Sequence, residues 1–438
     1  MKAVILNGSN KNDLTGQHVS NALIAELESR GWEIEHVQLC ETKIGNCAGD
    51  FFCWIRNPGM CNVNDANRLI AASIANCQLM VYLTPITFGG YSSNLKKMVD
   101  HQIQNVLPFF QQVNGETHHQ KRYPDYPDFL AIGWMDQPDA RSEVIFRHLT
   151  HRNAINLYAQ RAVTGVVLAN QSEGQIQASV QNWLDELKAE TRIEPVRLPE
   201  SQSRSVEPIS MKRALLLVGS PRTRKSTSNS LGGYLFDQLK ARNIQTETIY
   251  IHTTMASAER TKAMLDAVDQ SDLVLLAFPL YVDSLPAPVM NALEQIAAQR
   301  ILHNKSHPQL FAAIANCGFP EPDHNATALA ICENFARLAD FGWAGSLALG
   351  AGEGMVHGMP LNESDGRVTP LKKALDLAAE SLSQGMAIPP GAQAPLAKPF
   401  IPGWLYRLAG VYGWNQQAKE YGVEKVLKRQ PYIKSEPA

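Results

Sequence analysis

Two loops in this chain combine hydroxyl groups with the start of a helical pattern, a combination that suits an anion such as a phosphate. The loop in the second half reads GSPR at residues 219–222 and carries further hydroxyls at Ser226 and Ser228. Backbone amides at a helix N-terminus attract negative charge, and the Ser220 hydroxyl and the Arg222 guanidinium add donors. The sequence therefore predicts a phosphate site here, with ordinary helix capping by Ser226 or Ser228 as the plain alternative.

The corresponding loop in the first half is a weaker phosphate candidate. Its donors would come from Ser9, Asn10 and Thr15. Fewer hydroxyls are present than in the second half, and Asp13 adds a carboxylate that would repel an anion. We therefore expect the second half to hold a phosphate more tightly than the first.

A second pair of loops follows a buried apolar run in each half and places an aromatic side chain beside backbone amides. This combination suits a flavin, whose ring stacks on the aromatic side chain and forms hydrogen bonds to the backbone amides through its polar edge. A third loop, at residues 133–137 or 316–321, would complete each pocket. The predicted ring contacts are Pro85, Ile86, Thr87, Phe88 and Gly89 in the first half and Pro279, Leu280, Tyr281, Val282, Gly318 and Phe319 in the second. The alternative is a set of turns with an exposed aromatic residue.

Alternating strand and helix patterns must position these loops, and they occur twice along the 438 residues. Several strands are nearly continuous apolar runs, which is typical of parallel sheets covered on both faces. The predicted strands are 2–7, 33–39, 79–84, 128–134 and 162–168, then 213–218, 246–251, 273–278, 310–316 and 344–349. The pattern predicts an α/β protein with two tandem, doubly wound, five-stranded parallel sheets, each binding ligands at the carboxyl ends of its strands.

The domain boundaries follow from shifts in composition. We predict domains at residues 1–193 and 211–388, joined by a linker at 194–210 that is rich in Pro, Ser and charge. Residues 389–438 form a C-terminal extension with an aromatic segment, which we expect to pack on a domain or on a partner subunit. A helix lying on a membrane is the alternative for this segment, and its internal Pro and Gly argue against it.

The overall composition excludes several classes of protein. A formal net charge of -2 gives no basic surface for nucleic acid. No apolar run approaches the roughly 20 residues that span a bilayer. The N-terminus has no signal-peptide pattern, so a cytoplasmic protein is the expectation. His118 and His119 are expected in a polar loop, and we assign no metal-binding role to the histidines.

The order of these motifs resembles the flavodoxin-like NAD(P)H-dependent FMN reductase and quinone reductase superfamily. The resemblance rests on GSPR with its hydroxyl-rich loop, then PLY at residues 279–281, then NCGFPE at 316–321. In the first half, Cys47, Cys53 and Cys61 resemble the iron-sulfur flavoprotein branch and its cluster-free relatives. The motifs touch most of both halves. The resemblance implies a flavodoxin-like fold in each half, with FMN as cofactor and NAD(P)H as electron donor.

The cysteine pattern departs from the cluster-binding branch. Asp50 stands where that branch has another cysteine. Three thiolates and a carboxylate are a poor [4Fe–4S] site, although zinc accepts such a set. We therefore predict no metal at this segment and interpret residues 47–61 as a loop closing one side of a pocket, with Phe51, Phe52 and Trp54 as its anchors.

Together these patterns predict an NAD(P)H-dependent, FMN-containing oxidoreductase that passes electrons to a quinone, a free flavin or another small acceptor. No side chain is required as acid, base or nucleophile, because the cofactor carries the redox chemistry. Two alternatives stay open: an electron carrier without hydride chemistry, and a protein in which one domain is a cofactor-free dimerisation or binding module. A homodimer is compatible with both.

Overall fold

The computed structural model describes residues 1–189, 196–201, 207–302, 307–364 and 366–433. The chain forms two compact units. Unit 1 comprises Met1–Pro199 and Arg407–Ala438, and unit 2 comprises Glu200–Tyr406. Part of the predicted linker, at 194–195 and 202–206, lies outside the described residues.

Unit 1 is built on a five-stranded parallel sheet with the order β2-β1-β3-β6-β7. Its strands are β1 (Lys2–Asn7), β2 (Glu33–Gln38), β3 (Leu79–Pro85), β6 (Asp128–Met135) and β7 (Ala162–Leu168), with an antiparallel hairpin of β4 (Val106–Val113) and β5 (Glu116–Lys121). Its helices are α1 (Leu14–Ser29), α2 (Phe52–Ile55), α3 (Ala66–Ala75), α4 (Ser93–His101), α5 (Ala140–Asn156) and α6 (Glu173–Glu186).

Unit 2 repeats this arrangement, with the strand order β9-β8-β10-β11-β12, again parallel throughout. Its strands are β8 (Arg213–Val218), β9 (Gln245–Tyr250), β10 (Leu273–Pro279), β11 (Leu310–Asn316) and β12 (Gly342–Leu349). Its helices are α7 (Thr227–Lys240), α8 (Ile251–Thr254), α9 (Ala258–Gln270), α10 (Ala287–Leu302), α11 (Ala326–Leu338), α12 (Gly352–Val356), α13 (Thr369–Ser383) and α14 (Pro390–Gln393). The last helix, α15 (Gly403–Lys419), begins in unit 2 and ends in unit 1.

The apolar runs that predicted the strands form the two cores. Ile5 of β1 and Val81 of β3 are fully buried in unit 1, as are Leu216 of β8 and Leu275 of β10 in unit 2. Amphipathic helices cover both faces of each sheet, so these central strands have no face exposed to water. The predicted fold class, two tandem flavodoxin-like α/β domains, is confirmed.

The hairpin of β4 and β5 corrects one expectation. His118 and His119 lie on β5 and not in a loop. His118 is 1% exposed, and its Nδ1 lies 2.7 Å from the Oδ1 of Asn156 on α5. The strand was missed because its sequence, ETHHQK, is polar, although two of its residues are buried.

The C-terminal residues of unit 1 are held by a buried cation. Arg122 is 2% exposed, and its guanidinium donates to the carbonyls of Val106, Leu427 and Arg429. Burial lowers the pKa of Arg122. In return, the Gln430 side chain donates to the Arg122 carbonyl at 2.6 Å. These bonds, made across a large separation in sequence, join residues 427–430 to the rest of unit 1.

Candidate functional site

Each sheet has a switch point at which successive strands are added on opposite sides. In unit 1 it lies between β1 and β3, and in unit 2 between β8 and β10. Ligands of doubly wound sheets bind outside the carboxyl ends of the strands at this point. The loops singled out in the sequence follow these strands and their neighbours, β6 and β11. The topology therefore gathers the predicted phosphate and ring loops of each unit at one edge of its sheet.

In unit 2, the hydroxyl groups of the predicted phosphate loop shape the loop itself. The Ser226 Oγ caps α7 by accepting from the Asn229 amide at 3.1 Å. The Ser228 Oγ accepts from the Asn316 side chain at 2.9 Å, and the Ser220 Oγ accepts from the Arg222 amide at 3.3 Å. Ser226 therefore caps the helix, which was the plain alternative to phosphate binding for this residue. The helix N-terminus and the cationic side chains are what this loop would offer a phosphate.

Arg222 is one of three cationic residues of that loop, with Arg224 and Lys225, and its partner was not anticipated from the sequence. Its Nη1 lies 2.9 Å from the Oε1 of Glu353 on α12, and each side chain is about one-third exposed. The other carboxylate oxygen of Glu353 lies 3.5 Å from the Thr227 hydroxyl at the start of α7. A carboxylate therefore lies against the phosphate loop of unit 2.

In unit 1, a carboxylate that belongs to the predicted phosphate loop lies at the N-terminus of α1. Asp13 is the N-cap of α1 and accepts from the Gly16 amide and the Trp134 indole, both at 2.9 Å. Ser9 is buried, and its amide donates to the Asn7 side chain at 3.0 Å. Asn10 is exposed and Thr15 lies in the first turn of α1. Asp13 uses the positive end of the helix, which disfavours a phosphate at the same place.

The ring loops of the two units share one backbone conformation. Thr87 and Gly90 exchange two backbone hydrogen bonds, as do Tyr281 and Ser284 in unit 2. Both central residues of each turn have positive φ, as in type I′ turns. These residues are Phe88 (φ 57°) and Gly89 (φ 89°) in unit 1, and Val282 (φ 45°) and Asp283 (φ 58°) in unit 2.

The two turns differ in strain. Gly89 suits its position doubly, because a Cβ there would also lie 2.7 Å from the Ile145 side chain. Val282 is β-branched, and such residues rarely adopt positive φ. Strained backbone of this kind persists where surrounding structure holds it and is frequent at functional sites. The ring loop of unit 2 is therefore a strained turn that the surrounding structure stabilises.

The neighbouring residues Pro85, Ile86, Pro279 and Leu280 connect these turns to the sheets. Pro85 and Pro279 are the last residues of β3 and β10. The Ile86 amide donates to the Trp134 carbonyl, and the Leu280 amide donates to the Asn316 carbonyl. Each ring loop is thereby tied to the loop that follows the adjacent strand.

The third loop of unit 2 is covered by residues distant in sequence. The Tyr406 hydroxyl donates to the Gly318 carbonyl, and the Ala351 amide donates to the Phe319 carbonyl. Burial raises the pKa of Tyr406 far above its ordinary value, so it remains a neutral donor. Neither Tyr406 nor Glu353 was predicted as a site residue, because no local motif marks either.

Aromatic side chains of the cysteine-rich segment of unit 1 pack together in a cluster. The Phe51 and Trp54 rings are stacked with centroids 5.3 Å apart, and Trp414 packs edge-on against both. Asp50 accepts from the Phe52 amide at 3.0 Å, which gives this carboxylate a structural role at the start of α2. The segment is thus anchored by aromatic packing, as the loop interpretation requires.

Among the thiols of this segment, Cys53 is buried and Cys47 and Cys61 are half-buried. Burial raises the pKa of Cys47 to about 12 and raises the pKa values of Cys53 and Cys61, so all three are protonated at neutral pH. Cys61 Sγ lies 3.7 Å from His101 Nδ1. Among the residues that the structure describes, no group of three or more potential ligands is arranged to hold a metal ion.

We expect the purified protein to contain no stoichiometric iron. Residues 47–61 supply three cysteines, and Asp50, which stands where a fourth would be expected, is engaged with the backbone, so the segment lacks four thiolate ligands. Anaerobic purification followed by assays for iron and acid-labile sulfide measures this. Near-stoichiometric iron with a broad visible shoulder would make the segment a redox centre and contradict the prediction.

Comparisons with known proteins agree with the repeated architecture. The family model described as NADPH-dependent FMN reductase matches residues 1–115 and 212–316, which together make up half of the chain. No curated protein matches the chain. Across the described residues, no helix is both long and apolar enough to cross a membrane.

Several solved structures are similar to part of the chain. One is a flavone reductase, at 10% identity and TM-score 0.31, covering 40% of this chain and 65% of that one. Another is an FMN-dependent NADH-azoreductase from Bacillus anthracis, at 11% identity and TM-score 0.30, covering 39% of this chain and 100% of that one. A third is an NAD(P)H:quinone oxidoreductase from Methanothermobacter marburgensis, at 11% identity and TM-score 0.27, covering 40% and 98%.

Proposed function

This chain belongs to the NADPH-dependent FMN reductase family, and from that premise we propose that it is an NAD(P)H-dependent FMN oxidoreductase. Its electron acceptor would be a quinone, a free flavin or another small molecule. The observation that carries the proposal is the gathering of a phosphate-type loop, a tight ring loop and a third loop at the switch point of a doubly wound sheet.

Unit 2 is the proposed site of tighter FMN binding. Its phosphate contacts would be the first turn of α7 and Arg222, with Ser220, Ser226 and Ser228 shaping the loop. No acidic residue caps α7, in contrast to α1 of unit 1. The ring would lie against Pro279, Leu280, Tyr281 and Val282 on one side and Gly318 and Phe319 on the other.

Bound FMN supplies the redox chemistry by accepting hydride and passing electrons on. The chain's own residues bind and orient it. The held turn at Val282 and Asp283 fixes the loop whose amides would face the ring edge. The neutral Tyr406 hydroxyl fixes the Gly318 carbonyl and covers one side of the third loop. Neither role requires a protein group to gain or lose a proton.

We predict that the bound flavin is FMN and not FAD. Each half has one short Gly-Ser loop ahead of a helix, and neither has the G-x-G-x-x-G spacing that accompanies a pyrophosphate. Heat release followed by chromatography identifies the cofactor, and the absorption spectrum gives the FMN-to-chain ratio. Recovery of FAD alone, or of no flavin even after reconstitution, would overturn the prediction.

Activity is tested separately from binding. NAD(P)H oxidation, followed with and without a quinone or free flavin, distinguishes a reductase from an electron carrier. A reductase consumes NAD(P)H rapidly when the acceptor is present. A carrier binds flavin but accepts electrons only from another protein, so it would leave NAD(P)H unconsumed.

A second candidate assigns unit 1 a role without cofactor. The observation that favours it is Asp13, whose carboxylate already uses the N-terminus of α1. In that case unit 1 serves as a dimerisation or binding module, and one flavin is bound per chain. An FMN-to-chain ratio of two after saturation would exclude it.

A further inference from the structure

The loop that follows β12 contacts both the third loop and the phosphate loop of unit 2. The Gly352 amide donates to the Cys317 carbonyl at 2.9 Å, and the Thr227 hydroxyl lies 3.4 Å from the Gly352 carbonyl. At the other end, Gly358 is so close to the phosphate loop that a Cβ would lie 2.4 Å from the Lys225 carbonyl. Residues 350–358 therefore cover the loop that was predicted to bind phosphate.

This covering loop is held in a strained conformation. Ala351 and His357 flank α12, and both have positive φ (53° and 50°) although neither is glycine. Such conformations are sparsely populated for residues other than glycine and persist where other contacts stabilise them. The contacts of α12 include an ion pair.

Glu353 makes that ion pair. Its carboxylate lies 2.9 Å from Arg222, 3.5 Å from the Thr227 hydroxyl and 3.2 Å from the His357 ring. Arg222 and the first turn of α7 are also the groups that would hold a cofactor phosphate. The carboxylate thus uses the same cation that the phosphate needs.

We propose that Glu353 is an internal anion that competes with the phosphate of FMN for Arg222, so that the 350–358 loop regulates cofactor binding in unit 2. The inference rests on the proposed function, since it concerns the same site. A phosphate brought beside Arg222 meets the Glu353 carboxylate, and like charges in contact repel. Binding therefore requires Glu353 to withdraw, and the affinity for FMN is lower than the loop alone would give.

The proposal predicts a gain of affinity on substitution. Glu353→Gln removes the charge and keeps the shape, so we expect FMN to bind about tenfold or more tightly to the variant. Riboflavin has the same ring without the phosphate, and its affinity should stay the same. Fluorescence titration of the full-length apoprotein measures both ligands. Glu363→Gln is the matched control, because Glu363 is an exposed carboxylate in the same region and should change neither affinity.

The outcomes separate this inference from the proposed function. Tighter binding of FMN but not of riboflavin, lost again in the double variant Arg222→Ala, Glu353→Gln, supports the competition. Equal or weaker FMN binding by Glu353→Gln overturns it and leaves the proposed function standing. The same holds if riboflavin gains as much as FMN, since the effect is then not on the phosphate. If neither the folded wild-type protein nor Glu353→Gln binds FMN, both this inference and the proposed function are overturned.

Discussion

Replacing Arg222 with alanine is expected to weaken FMN binding by about tenfold or more. A hydrogen bond to a charged group contributes roughly 1.5–3 kcal/mol, and each 1.4 kcal/mol corresponds to about tenfold in affinity. The structure adds a second reason for a large effect. Without Arg222, the Glu353 carboxylate, which lies 2.9 Å from the guanidinium, loses this cationic partner, and its repulsion of an approaching phosphate is less offset. Fluorescence titration of the full-length protein with FMN gives the two dissociation constants.

Asn10→Ala is the control for this prediction. Asn10 stands in the corresponding loop of unit 1, and a neutral amide makes a weaker bond to a phosphate than a guanidinium does. The full chain is required because Arg407–Ala438 belongs to unit 1, so cutting the chain between its halves would divide that unit. If Asn10→Ala weakens binding more than Arg222→Ala, unit 1 is the tighter site and the phosphate-loop argument chose the wrong unit.

Removing the buried carboxylate of unit 1 should have the largest effect on stability. Lys96 and Asp100 of α4 form an ion pair, and both side chains are almost completely buried. Asp100→Asn removes the charge that Asp100 places beside the buried Lys96 ammonium, and breaking such a pair costs about 3–5 kcal/mol. We expect the unfolding transition of unit 1 to shift to lower denaturant accordingly, as measured by urea unfolding of the full-length protein.

Two further variants make this result interpretable. Glu143→Gln breaks the exposed pair with Arg147 on α5, which should cost less than about 1 kcal/mol. The double variant Lys96→Met, Asp100→Leu removes both charges and should recover most of the lost stability, since apolar replacement of a buried pair is often tolerated. A shift below about 1 kcal/mol for Asp100→Asn would show that the pair is not essential to unit 1.

Local sequence determined the sheets. The strands at Lys2–Asn7 and Arg213–Val218 were predicted because each is a short, continuous apolar run, and burial of such a run depends on its own side chains. The ring loops were located by the same logic, since a proline at the end of a buried strand marks where the chain leaves the sheet. The repetition of both signals was sufficient to predict two α/β domains.

The chemistry around those loops was decided by tertiary structure. Arg222 and Glu353 are 131 residues apart, and Arg122 and Arg429 are 307 residues apart. No periodicity or motif links such residues, because their contact follows from how helices and loops pack after the strands are in place. Sequence alone thus located the loop in each half that is predicted to bind a phosphate, while the folded chain decided which carboxylate lies against it.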